Sequence, residues 1–207
     1  MNKKTKSQIK SERKYTKSGY LQLKIPTELY SAILEQKSKT PQIEECHEGN
    51  FGVMNCAFWD PNTNLFIPKN NTFLFTFQNS KQIQNVLNRH LKPILEGWTG
   101  VKLFGNGFFY GIRRYLHGSV LWEHVDKIPT HIISAILQID QKVNENWPLL
   151  LTDHFGQKHK IVLKPGEMLL YESATVPHGR QFPLNGDYFD NLFMHYQPVN
   201  QINKVEL

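Results

Sequence analysis

The chain has 207 residues, 40% of them hydrophobic, enough to bury one substantial core. Its 24 basic and 18 acidic residues give a net charge of +6, but Lys3, Lys4, Lys6, Lys10, Arg13, Lys14 and Lys17 crowd the start against Glu12 alone, which leaves 17 of each sign in the remainder. A near-neutral body argues against a broad nucleic-acid groove, while the basic start suits loose contact with an acidic partner. Residues 1–18 therefore read as a basic, disordered tail, and 19–207 as one domain. Nowhere does an apolar run approach the roughly 18 residues of a membrane span, and no apolar segment follows the first charges as a secretory signal would require. Cys46 and Cys56 alone make no disulfide framework, which agrees with a reducing, cytoplasmic setting. In such a setting Asn70-Asn71-Thr72 is an accidental glycosylation sequon.

Leu21 to Ile25 alternates as a short strand, and Pro26-Thr27-Glu28 opens a helix over Leu29 to Lys37 with Leu29, Ala32 and Ile33 at helical spacing. Residues 38–80 lack a clear period and read as loops with short strands. Asn79 or Ser80 caps a second helix, whose apolar face carries Ile83, Val86, Leu87, His90 and Leu91 and which ends near Gly97. From Val101 the text turns to strands: Thr130 to Ile139, Pro148 to Thr152, Lys158 to Leu163 after the Asp153-His154-Phe155-Gly156 turn, Met168 to Tyr171, and Tyr188 to Tyr196. Short strands without intervening helices predict two facing antiparallel sheets, a jelly roll over about 101–198, buttressed by N-terminal helices: a mainly β, α+β chain.

Within that stretch lies Trp122-Glu123-His124-Val125-Asp126, and 54 positions after His124 comes His178. On a strand over 120–126 the side chains of His124 and Asp126 project to one face. Two imidazoles and one carboxylate on one side of an octahedral ion leave the opposite positions open for substrate and dioxygen, the ligand set of non-heme iron(II) oxygenases.

The flanking text is specific. Arg114-Tyr115 and Gly118 precede the His-x-Asp pair, and the Pro165-Gly166 turn with its apolar strand precedes His178. In this order and spacing, from about Tyr110 to Pro198, the chain resembles the prolyl 4-hydroxylase-like iron(II)/2-oxoglutarate dioxygenases. The resemblance implies a double-stranded β-helix holding Fe(II) on His124, Asp126 and His178, with 2-oxoglutarate and O2 as co-substrates. It also implies hydroxylation of a prolyl residue in a peptide or protein, or of a related amino acid. Tyr115 resembles the tyrosine that hydrogen-bonds in the co-substrate pocket.

One departure stands out. The family's Arg or Lys for the distal carboxylate of 2-oxoglutarate falls nine or ten residues after the distal His, where this chain has Asp187 and Tyr188. Arg180 replaces it in this reading: two residues after His178 it shares that face, with Asp187 on the neighbouring strand to orient it. Arg113, on the face of Tyr115, is the second candidate. His117 and His131 read as structural histidines, His195 near the last strand as a candidate neighbour of the metal ligands that nothing local compels, and Phe104, Phe108, Phe109 and Tyr110 as core or rim of a substrate mouth. Two other readings remain: oxidative demethylation of nucleic acid, supported by the basic tail, and a non-catalytic jelly-roll metal-binding or sensing protein, supported by the missing downstream cation.

Overall fold

A computed structural model describes residues 13–44, 57–60, 62–68, 72–77, 80–127 and 130–199. Cys46, Cys56, Asn70 and Asn71 lie outside the described residues. Among the described residues, thirteen strands and two helices follow one another as β1 (Tyr20–Lys24), α1 (Thr27–Ser38), β2 (Gln42–Glu44), β3 (Ala57–Asp60), β4 (Leu65–Pro68), β5 (Thr72–Thr76), α2 (Lys81–Thr99), β6 (Gly111–Leu116), β7 (Leu121–His124), β8 (Ile133–Val143), β9 (Leu149–Thr152), β10 (Lys158–Ile161), β11 (Glu167–Tyr171), β12 (His178–Arg180) and β13 (Gly186–Tyr196). A seven-stranded antiparallel sheet runs β1-β11-β8-β13-β6-β5-β2, and a four-stranded one runs β10-β9-β12-β7. The jelly roll is thus present, and its large sheet extends beyond the predicted 101–198 because β1 pairs with β11 while β5 and β2 continue from β6.

Period-two alternation assigns each side chain of the large sheet to one of two cores. Outward-facing Ala135, Leu137, Met168, Leu170, Leu192 and Met194 pack with Leu29, Ile33, Ile83, Leu87, Leu91 and Leu95 of the helices. Inward-facing Ile136, Leu169 and Tyr171 meet Leu149 and Leu151 of the small sheet. Helix α2 presents Ile83, Leu87, Leu91 and Leu95 at four-residue spacing, all buried. Its end differs from the sequence expectation. Gly97 lies inside the helix, and Gly100 closes it at a φ of 68°, a left-handed conformation in which glycine carries no Cβ penalty. At the other end the Ser80 hydroxyl accepts from the Ile83 amide at 3.4 Å, so Ser80→Ala is expected to lower stability by about 1 kcal/mol in urea denaturation.

Charge is also sorted by this alternation. Arg114 turns to the outer face, where it donates two hydrogen bonds of 2.8 Å to the carboxylate of Asp190. Lys37 of α1 completes the cluster, 2.7 Å from Asp190 and 2.8 Å from Asp140. Its neighbours Arg113 and Tyr115 face inward.

The stretch read as tail needs a correction at its inner end. The buried Glu172 carboxylate accepts hydrogen bonds from the backbone amides of Tyr15 and Thr16, at 2.9 and 2.7 Å, and from the Thr16 hydroxyl at 2.7 Å. Residues 13–18 are therefore a strap on the body, since a buried carboxylate requires such donors. Among the described residues no helix is long and apolar enough to cross a membrane.

Candidate metal centre

His178 and His124 are directly opposed across the antiparallel β12–β7 pair, with ring centroids 4.4 Å apart. The pairing then slips: Arg180 faces Leu121, so β7 spends one more residue than β12 over this interval. This bulge turns both Leu121 and His124 to the interior although they are three apart, and leaves Trp122 exposed. The regular strand expected over 120–126 is replaced by a bulged one that ends at His124. Asp126 follows it, its amide held 2.8 Å from the Ser173 carbonyl. One ligand atom from each of His124, Asp126 and His178 lies within 4.8 Å of the others.

Hydrogen bonds set the imidazoles for a metal. His124 donates from Nδ1 to the Trp122 carbonyl at 2.8 Å, and His178 from Nδ1 to the Val176 carbonyl at 2.9 Å. A carbonyl only accepts, so both Nδ1 atoms carry the proton and both Nε2 atoms present a lone pair. Burial pushes the His178 pKa down to about 4, which keeps it neutral. Burial alone would raise the Asp126 pKa, but the imidazoles of His124, His178 and His195 around it hold it well below the usual carboxylate range. A neutral imidazole and an ionised carboxylate are the metal-binding forms. Asp126 Oδ1 lies 3.5 and 3.9 Å from the two Nε2 atoms, and this N2O donor set fits an iron(II) ion.

The three residues open into a cavity of about 220 Å³, also lined by Arg113, Arg180, Tyr171, His131, His195 and Phe193. Arg180 is 2% exposed and forms no ion pair with any described residue. Its guanidinium lies between the rings of Trp147 and Phe189, 4.7 and 4.6 Å from their centroids. It donates to the Trp147 carbonyl and, at 3.4 Å, to Asn191 Oδ1. Burial lowers its pKa to about 10, so it stays cationic at neutral pH. The expected orienting partner, Asp187, is instead exposed and pairs with Lys142 at 2.7 Å. It is the second residue of β13 and lies on the surface, where it neither steers Arg180 nor repels an anion in the cavity.

Tyr115 packs edge-on against Trp147 at 5.1 Å, behind the Arg180 cage. The cavity wall instead carries Tyr110 and Tyr171, the ring of Tyr171 standing against His178 at 4.7 Å. Arg113 reaches the cavity with its guanidinium 5.4 Å above the Phe193 ring. His117 is exposed, but His131, read as structural, lies on the cavity wall with His195, their rings tilted and their centroids 4.0 Å apart. Alternation along β13 was the signal for His195, since Phe189, Asn191, Phe193 and His195 all fall on the inner face. Phe104, Phe108 and Tyr110 are exposed, Phe109 is buried, and the Phe108 ring lies 6.4 Å from that of His131, at the rim.

Gly179 sits between His178 and Arg180 hard against β7: a Cβ there would come 2.7 Å from the Leu121 carbonyl oxygen and 2.8 Å from the Glu123 amide. Backbone atoms cannot yield, so Gly179→Ala is expected to spread β12 from β7. A loss of about 1–3 kcal/mol in denaturant titration should accompany weaker metal binding in equilibrium dialysis.

No protein-family model matches the sequence, and a search of curated proteins returns no match. Solved structures do match. An oxidoreductase of the 2OG-Fe(II) oxygenase family from Burkholderia pseudomallei superposes with a TM-score of 0.61 at 12% identity, over 86% of this chain and 84% of that one. A Trichoplax adhaerens prolyl hydroxylase, in complex with a hypoxia-inducible-factor degradation-domain peptide, gives 0.57 at 12% identity over 91% and 88%. The chain has the 2-oxoglutarate/iron(II) oxygenase fold. HygX of Streptomyces hygroscopicus, with nickel, 2-oxoglutarate and hygromycin B bound, shares this oxygenase fold at 0.57 and 12% identity over 88% and 84%. The molecules bound in these two structures differ, a peptide in one and hygromycin B in the other.

Proposed function

We propose that this protein is an iron(II)- and 2-oxoglutarate-dependent dioxygenase that hydroxylates a prolyl residue of a peptide or protein, or a related amino-acid substrate, with release of succinate and CO2. The observation that carries this reading is the joint opening of the His124, Asp126 and His178 cluster and of an unneutralised, buried Arg180 into one cavity. When bound, iron(II) with 2-oxoglutarate supplies the dioxygen chemistry that hydroxylates an unactivated carbon.

His124, Asp126 and His178 hold the metal through two Nε2 atoms and one carboxylate oxygen. Arg180 is one strand period from His178, roughly 6–7 Å along the backbone, a separation suited to a short dicarboxylate with one end on the metal. Its guanidinium takes the distal carboxylate in a charge-assisted pair. Trp147 and Phe189 fix the plane of that guanidinium, and Tyr115 backs the Trp147 wall. Arg113 supplies the second positive charge of the cavity. Leu121, Ile136, Leu149 and Phe193 exclude water around the reacting centre.

A peptide or amino-acid substrate is supported by the peptide-bound prolyl hydroxylase among the matching structures and by a body whose charges balance. The test is succinate release from 2-oxoglutarate after anaerobic iron loading and admission of air, with proline-containing peptides added. Iron-dependent release that those peptides stimulate supports the assignment. Failure of 2-oxoglutarate to bind the iron-loaded protein overturns it in favour of a non-catalytic metal-binding protein.

A further inference from the structure

The two oxygens of Asp126 face different partners. Oδ1 lies 3.5 Å from His124 Nε2 and 3.9 Å from His178 Nε2, toward the metal position. Oδ2 is turned away, 3.6 Å from Nδ1 of His195. The proton on that nitrogen is fixed by a chain of hydroxyls. Ser173 donates from Oγ to the His131 carbonyl at 3.1 Å, which uses its single proton. Its oxygen must then accept from Ser134 Oγ at 2.6 Å, which uses the proton of Ser134. Ser134 Oγ must in turn accept from His195 Nδ1 at 2.7 Å. His195 Nδ1 therefore carries a proton, on the edge of the ring that faces Asp126 Oδ2. His195 and Ser134 are opposed in register across β13 and β8, so two central strands hold the arrangement. Ser173 closes it from the other side, because its carbonyl accepts from the Asp126 amide.

We propose that His195 is a positioning residue of the metal centre: its ring, fixed by the Nδ1–H donated to Ser134, sets its Nδ1 edge 3.6 Å from Asp126 Oδ2, in contact with it but not hydrogen-bonded to it, and so keeps the carboxylate with Oδ1 toward the two ligating imidazoles and Oδ2 away from them. This rests on the reading of His124, Asp126 and His178 as metal ligands. Partners of this kind orient a ligand and commonly change metal affinity by roughly 10- to 100-fold when removed.

The test uses cobalt(II) alone as probe, with affinity from calorimetric titration and geometry from the visible absorption of the bound ion. His195→Ala is expected to bind cobalt roughly 10- to 100-fold more weakly and with an altered spectrum. In His195→Asn the side-chain amide N–H falls near the position of Nδ1–H, and affinity and spectrum should return toward wild type. Ser134→Ala, a smaller change that keeps the ring, should weaken binding in the same direction and covers the case in which His195→Ala does not fold. Unchanged affinity and spectrum in His195→Ala, or an Asn variant as weak as the Ala variant, would overturn the positioning role while leaving the three-ligand site intact. A wild-type protein that takes up no cobalt overturns the metal site itself.

Discussion

Asp126→Ala and His178→Ala each abolish tight iron binding, and with it any iron-dependent release of succinate. The expectation follows from how few donors the site has: one ligand atom from each of three residues, all within 4.8 Å. Removing one of three leaves a two-imidazole or an imidazole-carboxylate pair that no longer encloses one side of the ion. The change should exceed the roughly 10- to 100-fold typical of residues that only orient ligands. His178 has a further consequence because it is buried opposite His124 on the paired strand, so alanine there also removes ring contacts with His124 and Tyr171. Equilibrium dialysis against iron(II) under anaerobic conditions checks the result. Wild-type stoichiometry and affinity in either variant would remove that residue from the ligand set.

Arg180→Met keeps the length of the side chain and deletes its charge, and it is expected to weaken 2-oxoglutarate binding by about two orders of magnitude while sparing the metal. A charge-assisted hydrogen bond contributes about 1.5–3 kcal/mol, and the aromatic walls around Arg180 withhold the water that would otherwise screen it. The cation is enclosed by Trp147 and Phe189 and has no carboxylate partner among the described residues. Leaving a buried guanidinium unneutralised costs several kcal/mol, which is the physical ground for proposing that Arg180 receives an anion from outside. Titration of 2-oxoglutarate into the metal-loaded variant reads the effect. If affinity is unchanged there and falls in Arg113→Met, the anchor is Arg113.

How much of this was legible in the chain depends on the range of the interaction. Alternation and turn residues marked the strands from Thr130 onward, and ligand chemistry grouped the His-x-Asp pair with a distal histidine. Local chemistry also marked Ser80 as a cap, because its hydroxyl acts only three residues away. The bulge in β7 was hidden, since it is a property of the β7–β12 register and not of either strand alone. So was the environment of Arg180: Trp147, Phe189 and Asn191 come from other segments, and the acid nearest in sequence, Asp187, is held at the surface by Lys142. His195 shows the intermediate case. Its face followed from the alternation of β13, but its meaning required Ser134 and Asp126 beside it.

The strap at residues 13–18 gives the chain's beginning a mechanical connection to its centre. Glu172, which holds the amides of Tyr15 and Thr16, is next to Ser173, which holds the amide of Asp126. The same short loop ends in His178. Trimming by a protease that stopped before Arg13 would leave this linkage whole. A cut past Thr16 would remove the three donors that hold the Glu172 carboxylate, leave His154 at 3.7 Å as its neighbour, and so free the anchor of the loop that runs to His178 and holds the Asp126 amide.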